Sequence, residues 1–484
     1  MSEPLNVVAA APIIIAAGTA TLAFGVGLLP GRFAKRHGPA LTAMAGIIAA
    51  VVMSAVLWGD RQEAFGGGFR SDRFSLVLNM IFLGAAFLTL LLAWREPAAV
   101  DRRGEYAGLV MISVSGMMLV AGAGDLISIF LGIEILSVAL YVLCALEIWR
   151  ERSLESGLKY LITGAVGASI LLYGLSLLFG ATGSTSLETI GTALQGTSFT
   201  DEPLVIAAMA LIAGGLAFKA SAVPFHMWTP DVYEGAPTTV TAFMSTAVKA
   251  AAFAAFLRLF TGVMGDLQPD WSVAIAVLAT ASIVVGNVAA LVQTNMKRML
   301  AYSSIAQAGY LLIGVAAGSV DGAEAVLYYL IAYGLMTMAA FAVVIIRERE
   351  VEEGDEIIAL AGYGRARPVY GVVLTLAMLS LAGFPPLSGF IGKFLLFGSA
   401  VENDLTWLAI VGAVGSMVSL GYYLRVVAVA WMPQSDEEPR KLLTVPGPVA
   451  LATVTCGVAI VAAALFASPL IDVCRGAAQS LLAP

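Results

Sequence analysis

The chain has 484 residues, 59% of them hydrophobic and 12% charged, with a formal net charge of −7. Soluble domains carry roughly a quarter charged residues, so this composition excludes a soluble enzyme or nucleic-acid binder and indicates a polytopic membrane protein. Three cysteines, Cys144, Cys456 and Cys474, show no paired or metal-ligand spacing, which speaks against a disulfide framework or a cysteine metal centre.

Crossing the hydrocarbon takes about 20 apolar residues. Fourteen such runs are predicted, at 7–29, 39–58, 73–94, 104–123, 126–146, 158–179, 203–222, 238–262, 271–292, 299–318, 323–346, 369–397, 405–431 and 446–468. The first is longer than a signal-peptide core and has no basic region before it, so it reads as a retained span. The twelfth is too long for one straight helix and holds Gly383, Pro385, Pro386 and Gly389, which predicts a break.

Positive charge orients the chain. Loops after odd-numbered spans hold sixteen Lys and Arg, among them Arg150, Arg152, Lys297, Arg298, Arg440 and Lys441. Even-numbered loops and the C-terminal tail hold four: Arg61, Arg70, Arg73 and Arg475. The basic loops are expected in the cytoplasm, with both termini on the other side.

Six basic residues fall within the predicted spans: Lys159, Lys219, Lys249, Arg258, Lys393 and Arg425. Arg258 and Arg425 lie near span ends, where snorkelling to the interface is the expected explanation. Lys159 sits close to the start of span six, where snorkelling and a buried role compete. Lys219, Lys249 and Lys393 lie deeper, where a structural ion pair competes with a proton-path role. Glu134 lies well inside span five. A buried carboxylate is costly unless paired or protonated, so a Glu134–Lys219 pair is the expected arrangement.

The segment between spans seven and eight carries Pro224, Pro230, Pro237 and Gly235, with His226, Asp231 and Glu234 among them. Broken backbone at membrane depth belongs in a cavity or packed inside protein. Span twelve repeats the combination of proline, small residues and one lysine, five spans further on. Two interrupted segments in corresponding positions point to inverted repeats. The expected fold is therefore all-α, with about fourteen transmembrane helices and two inverted five-helix repeats, helices 4–8 and 9–13, broken at helices 7 and 12. In residues the expected units are 1–103, 104–262, 271–431 and 432–484.

Lysine suits proton transfer because its charge state responds readily to its surroundings. A relay is expected from Lys219 to Lys249 and on to Lys393, gated by Glu134. His226 is placed at the cytoplasmic mouth, either as a proton-uptake group or as an interfacial loop histidine. Ser221, Thr246, Ser303, Ser304 and Gln307 either hydrate a channel or pack between helices.

At these residues a resemblance enters. KASAVPFHMWTPDVYEGAPTTVTAFMSTAVKAAAF, KRMLAYSSIAQAGYLLIG and LAGFPPLSGFIGKFLLF are similar to the antiporter-like proton-translocating subunits of respiratory complex I and their relatives in Mrp sodium/proton antiporters. Lys249 in span eight, fourteen spans and the absence of a long lateral helix after span fourteen point to the N-type branch of that family. The resemblance implies a proton-relay role for Glu134, Lys219, Lys249 and Lys393, and an additional span-six lysine at Lys159. It implies no cofactor in this chain: NADH, FMN, iron–sulfur clusters and quinone are expected in partner subunits. The implied partners are other membrane subunits, including antiporter-like homologues, in a bacterial cytoplasmic membrane. The alternatives are a subunit of an Mrp-type exchanger, of a membrane-bound hydrogenase or of a quinone reductase with another donor, and a non-transporting scaffold.

Overall fold

The structure, a computed structural model, describes residues 6–59, 61–95, 102–196, 202–351, 353–433 and 442–482. Arg440 and Lys441 lie outside the described residues. The spans are α1 (Ala11–Leu28), α2 (Arg32–Val56), α3 (Arg73–Leu92), α4 (Arg103–Ala121), α5 (Leu126–Cys144) and α6 (Glu151–Thr182). A short helix α7 (Leu187–Leu194) precedes α8 (Pro203–Ala220), α9 (Trp228–Gly235) and α10 (Thr238–Val263). Then come α11 (Gln268–Leu291), α12 (Met296–Ala317), α13 (Val320–Glu348), α14 (Pro368–Ala382), α15 (Ser388–Glu402), α16 (Thr406–Trp431), α17 (Gly447–Leu465) and α18 (Ala467–Leu482).

Thirteen helices among the described residues are long and apolar enough to cross a membrane. The broken pair α14–α15 supplies the fourteenth crossing, at the position expected for span twelve. Side-chain caps start several spans. Asp72 caps α3 through Ser75, Asp125 accepts from the Ser128 amide at 2.6 Å, and Asn295 accepts from the Arg298 amide at 3.1 Å. α6 starts seven residues earlier than hydropathy indicates, because Glu151, Arg152 and Glu155 are polar yet continue the helix. A two-stranded hairpin, β1 (Gln62–Ala64) with β2 (Phe69–Ser71), interrupts the otherwise helical chain and was not legible in its short, glycine-rich sequence.

Small residues set the packing. A Cβ at Gly116 of α4 would meet the Leu136 amide of α5 at 2.6 Å, and one at Gly286 of α11 would meet the Ala306 amide of α12 at 2.5 Å. Backbones approach this closely because no side chain intervenes. The apolar window of α10 is wholly buried, with α12 and α13 nearly so, whereas most of the windows of α1, α2 and α6 face outward. The two most buried helices carry Lys249 and Lys297. α10 also contains two π-helical turns, Met244–Val248 and Leu257–Val263, and Lys249 follows the first directly.

The two breaks close in the same way. After α8, Ser221 takes a left-handed conformation (φ 64°), and after α14, Gly383 does so (φ 84°). The Ser221 amide donates to Phe218 O and the Ala222 amide to Ala217 O. Likewise the Gly383 amide donates to Ser380 O and the Phe384 amide to Leu379 O. This double bond pattern satisfies two of the four carbonyls that a helix leaves open at its C-terminus. The remaining carbonyls, at 219 and 220 and at 381 and 382, need donors from elsewhere.

Candidate proton path

Lys249 and Lys393 supply donors for three of these four, Ala220 O, Leu381 O and Ala382 O. Lys249 Nζ donates to Ala220 O at 3.1 Å and to Ser304 O of α12 at 2.7 Å. Lys393 Nζ donates to Leu381 O at 3.0 Å and Ala382 O at 3.3 Å, and lies 4.6 Å from the Tyr310 ring centroid. Both side chains are 3% exposed or less. Each buried cation therefore rests on the negative end of a half-helix, where backbone dipoles favour it. The two lysines reach equivalent carbonyls by different routes. Lys249 comes from the following span and Lys393 from the second half of its own broken span.

Lys219 lies before its break rather than after it, so it is not the positional counterpart of Lys393. Its Nζ donates to Ser137 Oγ at 2.7 Å and to Tyr160 OH at 3.5 Å, and stands 5.3 Å from the Tyr160 ring centroid. The direct Glu134–Lys219 ion pair expected from sequence is not formed. Ser137, one turn along α5 from Glu134, takes the lysine instead. Glu134 Oε1 is buried without a hydrogen-bond partner. Lys249 reaches the same helix end that carries Lys219, since Ala220, whose carbonyl holds it, is the next residue in the chain.

A polar series then leads from Lys249 to Lys393 along α12. Ser304 O holds Lys249, and the adjacent Ser303 Oγ bonds Tyr423 OH at 2.5 Å. Gln307 Nε2 donates to Tyr423 OH at 3.1 Å and to Leu381 O at 3.3 Å, the carbonyl that Lys393 also binds. Tyr329 OH donates to Gln307 Oε1. Ser303, Ser304 and Gln307 were candidates from sequence. Ser137, Tyr160, Tyr329 and Tyr423 were not, although tyrosines inside apolar spans are a usable signal.

The remaining charged residues divide clearly. Lys159 does not simply snorkel. It donates to Asp231 at 2.8 Å and pairs with Glu155 at 2.7 Å, in a polar cavity of about 180 Å³ that Arg152, Glu234 and Gly235 help line. Arg298 binds Asp231 and Glu234, both at 2.9 Å. Burial acts to raise the Asp231 carboxyl, but the hydrogen bonds from Lys159 and Arg298 outweigh it and hold the group below the usual carboxylate range. His226 is partly buried in the break, its Nδ1 without a partner, and bonds none of the lysines.

Arg258 lies near the end of its span, as expected, but is buried in protein: it is 5% exposed and pairs at 2.8 Å with Asp72, the cap of α3. Its partner lies 186 residues away, which no local reading reveals. Arg425 does reach a helix end, where it donates to Leu291 O and Gln293 O. Lys297, counted from sequence among the cytoplasmic loop charges, is fully buried. Among the described residues no group of three His, Cys, Asp or Glu side chains is placed to hold a metal ion.

Comparisons with known proteins bear on family and fold. Residues 123–419 match the family model described as NADH:quinone oxidoreductase/Mrp antiporter, transmembrane. The NADH-quinone oxidoreductase subunit N of Desulforamulus reducens is 38% identical over 466 residues, covering 96% of this chain and 96% of the relative. A chain of respiratory complex I from Thermus thermophilus superposes with a TM-score of 0.80 at 35% identity, covering 95% of this chain and 98% of that one. A chain of the Mrp complex from Dietzia sp. shares the fold (TM-score 0.80, 99% and 97% covered) at 22% identity.

Proposed function

The chain belongs to the NADH:quinone oxidoreductase/Mrp antiporter transmembrane family, and from that membership we propose a defined proton path within it. The chain is an antiporter-like, proton-translocating membrane subunit of an NADH-quinone oxidoreductase, working within a complex of several membrane subunits. Protons pass between Lys219, Lys249 and Lys393, with Glu134 acting on Lys219 through Ser137. Helices 4–8 and 9–13 act as two inverted repeats whose breaks provide the lysine-binding carbonyls. The basic-loop face is cytoplasmic, both termini lie on the opposite side, and net transfer runs outward. The electron carriers reside in partner subunits. Lys159 and His226 stand beside this path: Lys159 ties α6 to α9, and His226 lines the break.

One observation carries the reading. Between Lys249 and Lys393 runs a series of buried polar groups, from Ser304 O to the adjacent Ser303 and then, hydrogen-bonded throughout, to Tyr423, Gln307 and the Leu381 carbonyl. Polar groups at membrane depth are rare and mark conduction paths. The identity to an NADH-quinone oxidoreductase subunit across nearly the whole chain favours redox-driven pumping over exchange. The test is Lys249→Met in the assembled complex. NADH oxidation by a water-soluble acceptor is expected to persist while protons pumped per electron fall. An unchanged ratio overturns the relay.

A further inference from the structure

Beneath the α9–α10 junction lies a second buried cation that the path above does not use. Lys297 occupies the first turn of α12 and is fully buried. Its Nζ donates to Ala236 O at 2.8 Å and stands 3.9 Å from Glu348 Oε1. Glu348 ends α13, and its side chain is 25% exposed, so it reaches solvent on the basic-loop face. Thr238 Oγ1 donates to the same carboxylate at 2.8 Å. Ala236 and Thr238 flank Pro237, so the pair sits where the broken segment joins the span that carries Lys249.

Two features distinguish this pair from a simple clamp. An ammonium has three N–H donors, and only one is used within hydrogen-bond distance, with the carboxylate held loosely. The direction from the pair also leads to the path. Ser304 lies seven residues beyond Lys297, two turns along the same face of α12 and about 10 Å inward at 1.5 Å rise per residue. Ser304 O holds Lys249, and the buried Ser304 hydroxyl faces the hydroxyls of Tyr233 and Tyr333. Three buried hydroxyls together beside Lys249 supply the polar partners a bridging water needs.

We propose that Glu348 and Lys297 form a separate loading site, supplying Lys249 from the basic-loop face independently of Lys219. The Lys297 ammonium gives one proton inward through water at Ser304 to a neutral Lys249 amine. The Glu348 carboxylate takes a proton from solvent, and the Glu348 carboxylic acid so formed passes it to the Lys297 amine, which restores the ammonium–carboxylate pair. Each transfer moves one proton, and the pair returns to its starting charge. This rests on the reading that Lys249 carries protons.

The test compares Lys297→Arg, Lys297→Gln, Glu348→Gln and Lys249→Met in membranes holding the assembled complex. The readouts are protons per NADH oxidised, proton-uptake rate, and subunit content on native gels. Arginine keeps the charge and a donor for Ala236 but does not release its proton. The proposal expects Lys297→Arg to lower proton uptake to about half, as Lys297→Gln does, because Lys219 still supplies Lys249 by the other route. Wild-type uptake in Lys297→Arg marks Lys297 as a structural clamp and overturns the proposal. If the Lys297 variants fail to assemble, Glu348→Gln decides, because its amide oxygen still accepts from Thr238. Slowed uptake supports the site, and normal uptake overturns it. Normal pumping in Lys249→Met signals failure of the underlying reading instead.

Discussion

Tyr423→Phe removes one oxygen from the centre of the Lys249–Lys393 series. The ring stays in place, since Tyr423 is fully buried with its centroid 4.3 Å from that of Tyr422. Its hydroxyl binds Ser303 Oγ and Gln307 Nε2, so two buried partners each lose a hydrogen bond. At about 1 kcal/mol net for each bond, the local cost is about 2 kcal/mol. If that cost falls on the proton-carrying configuration, transfer through this link slows about 30-fold. The assay is proton uptake and NADH oxidation in the assembled complex, side by side. Tyr328→Phe is the internal control: Tyr328 is also fully buried, its hydroxyl donates to Ala463 O at 3.0 Å, off the series, and pumping should survive its loss. Wild-type uptake in Tyr423→Phe, or equal losses in both variants, refutes the path through Tyr423.

Three further outcomes are expected. Gly389→Ala places a Cβ 1.9 Å from Ser380 O, between the two halves of span twelve, and should sharply reduce the amount of folded subunit in membranes, read by immunoblot. Ser221→Gly relieves a left-handed non-glycine residue, a conformation that costs about 1 kcal/mol, so the thermal midpoint of the purified complex should hold or rise. Asp231→Asn loses ion pairs to Lys159 and Arg298 that are one-third or more exposed, so its cost should be about 1 kcal/mol. Because the folded carboxyl titrates below its usual range, its stabilisation is complete above the unfolded value near 3.9 and disappears only as pH falls through the folded value. Thermal midpoints of wild type and Asp231→Asn should therefore differ by a constant amount across the neutral range.

The spans were legible because burial in hydrocarbon demands long apolar runs, and each basic residue inside one stands out. Lys219, Lys249 and Lys393 were found that way, as were both breaks, since proline and glycine declare themselves locally. What stayed hidden depends on contacts across the chain. Ser137 displaces Glu134 as the partner of Lys219 because helix rotation, not composition, decides which face meets α8. Arg258 reads as snorkelling to water from its place near a span end, whereas its guanidinium is met inside the protein by Asp72. Lys297 follows a loop in sequence, yet α13 and the α9–α10 junction close over it. Tyr423 and Gln307 are 116 residues apart, so nothing in either stretch marks them as neighbours.

The choice of lysine at two of these sites follows from the carbonyls. A helix broken inside a membrane leaves four acceptors that water cannot reach from the lipid side. The left-handed turn at Ser221 or Gly383 satisfies two in each case. Lys249 then serves Ala220 O, and with it Ser304 O, while Lys393 serves Leu381 O and Ala382 O. Each lysine thus makes two donor bonds. A charged lysine has three N–H groups, and a neutral one keeps two. Either lysine can therefore lose its proton with both carbonyls still satisfied, the breaks remaining closed throughout. Methionine leaves the carbonyls at the break without the lysine's donor, and arginine retains its proton. Among side chains that cap two carbonyls, lysine is the one that does so in both charge states, which is what a stationary group in a proton path requires.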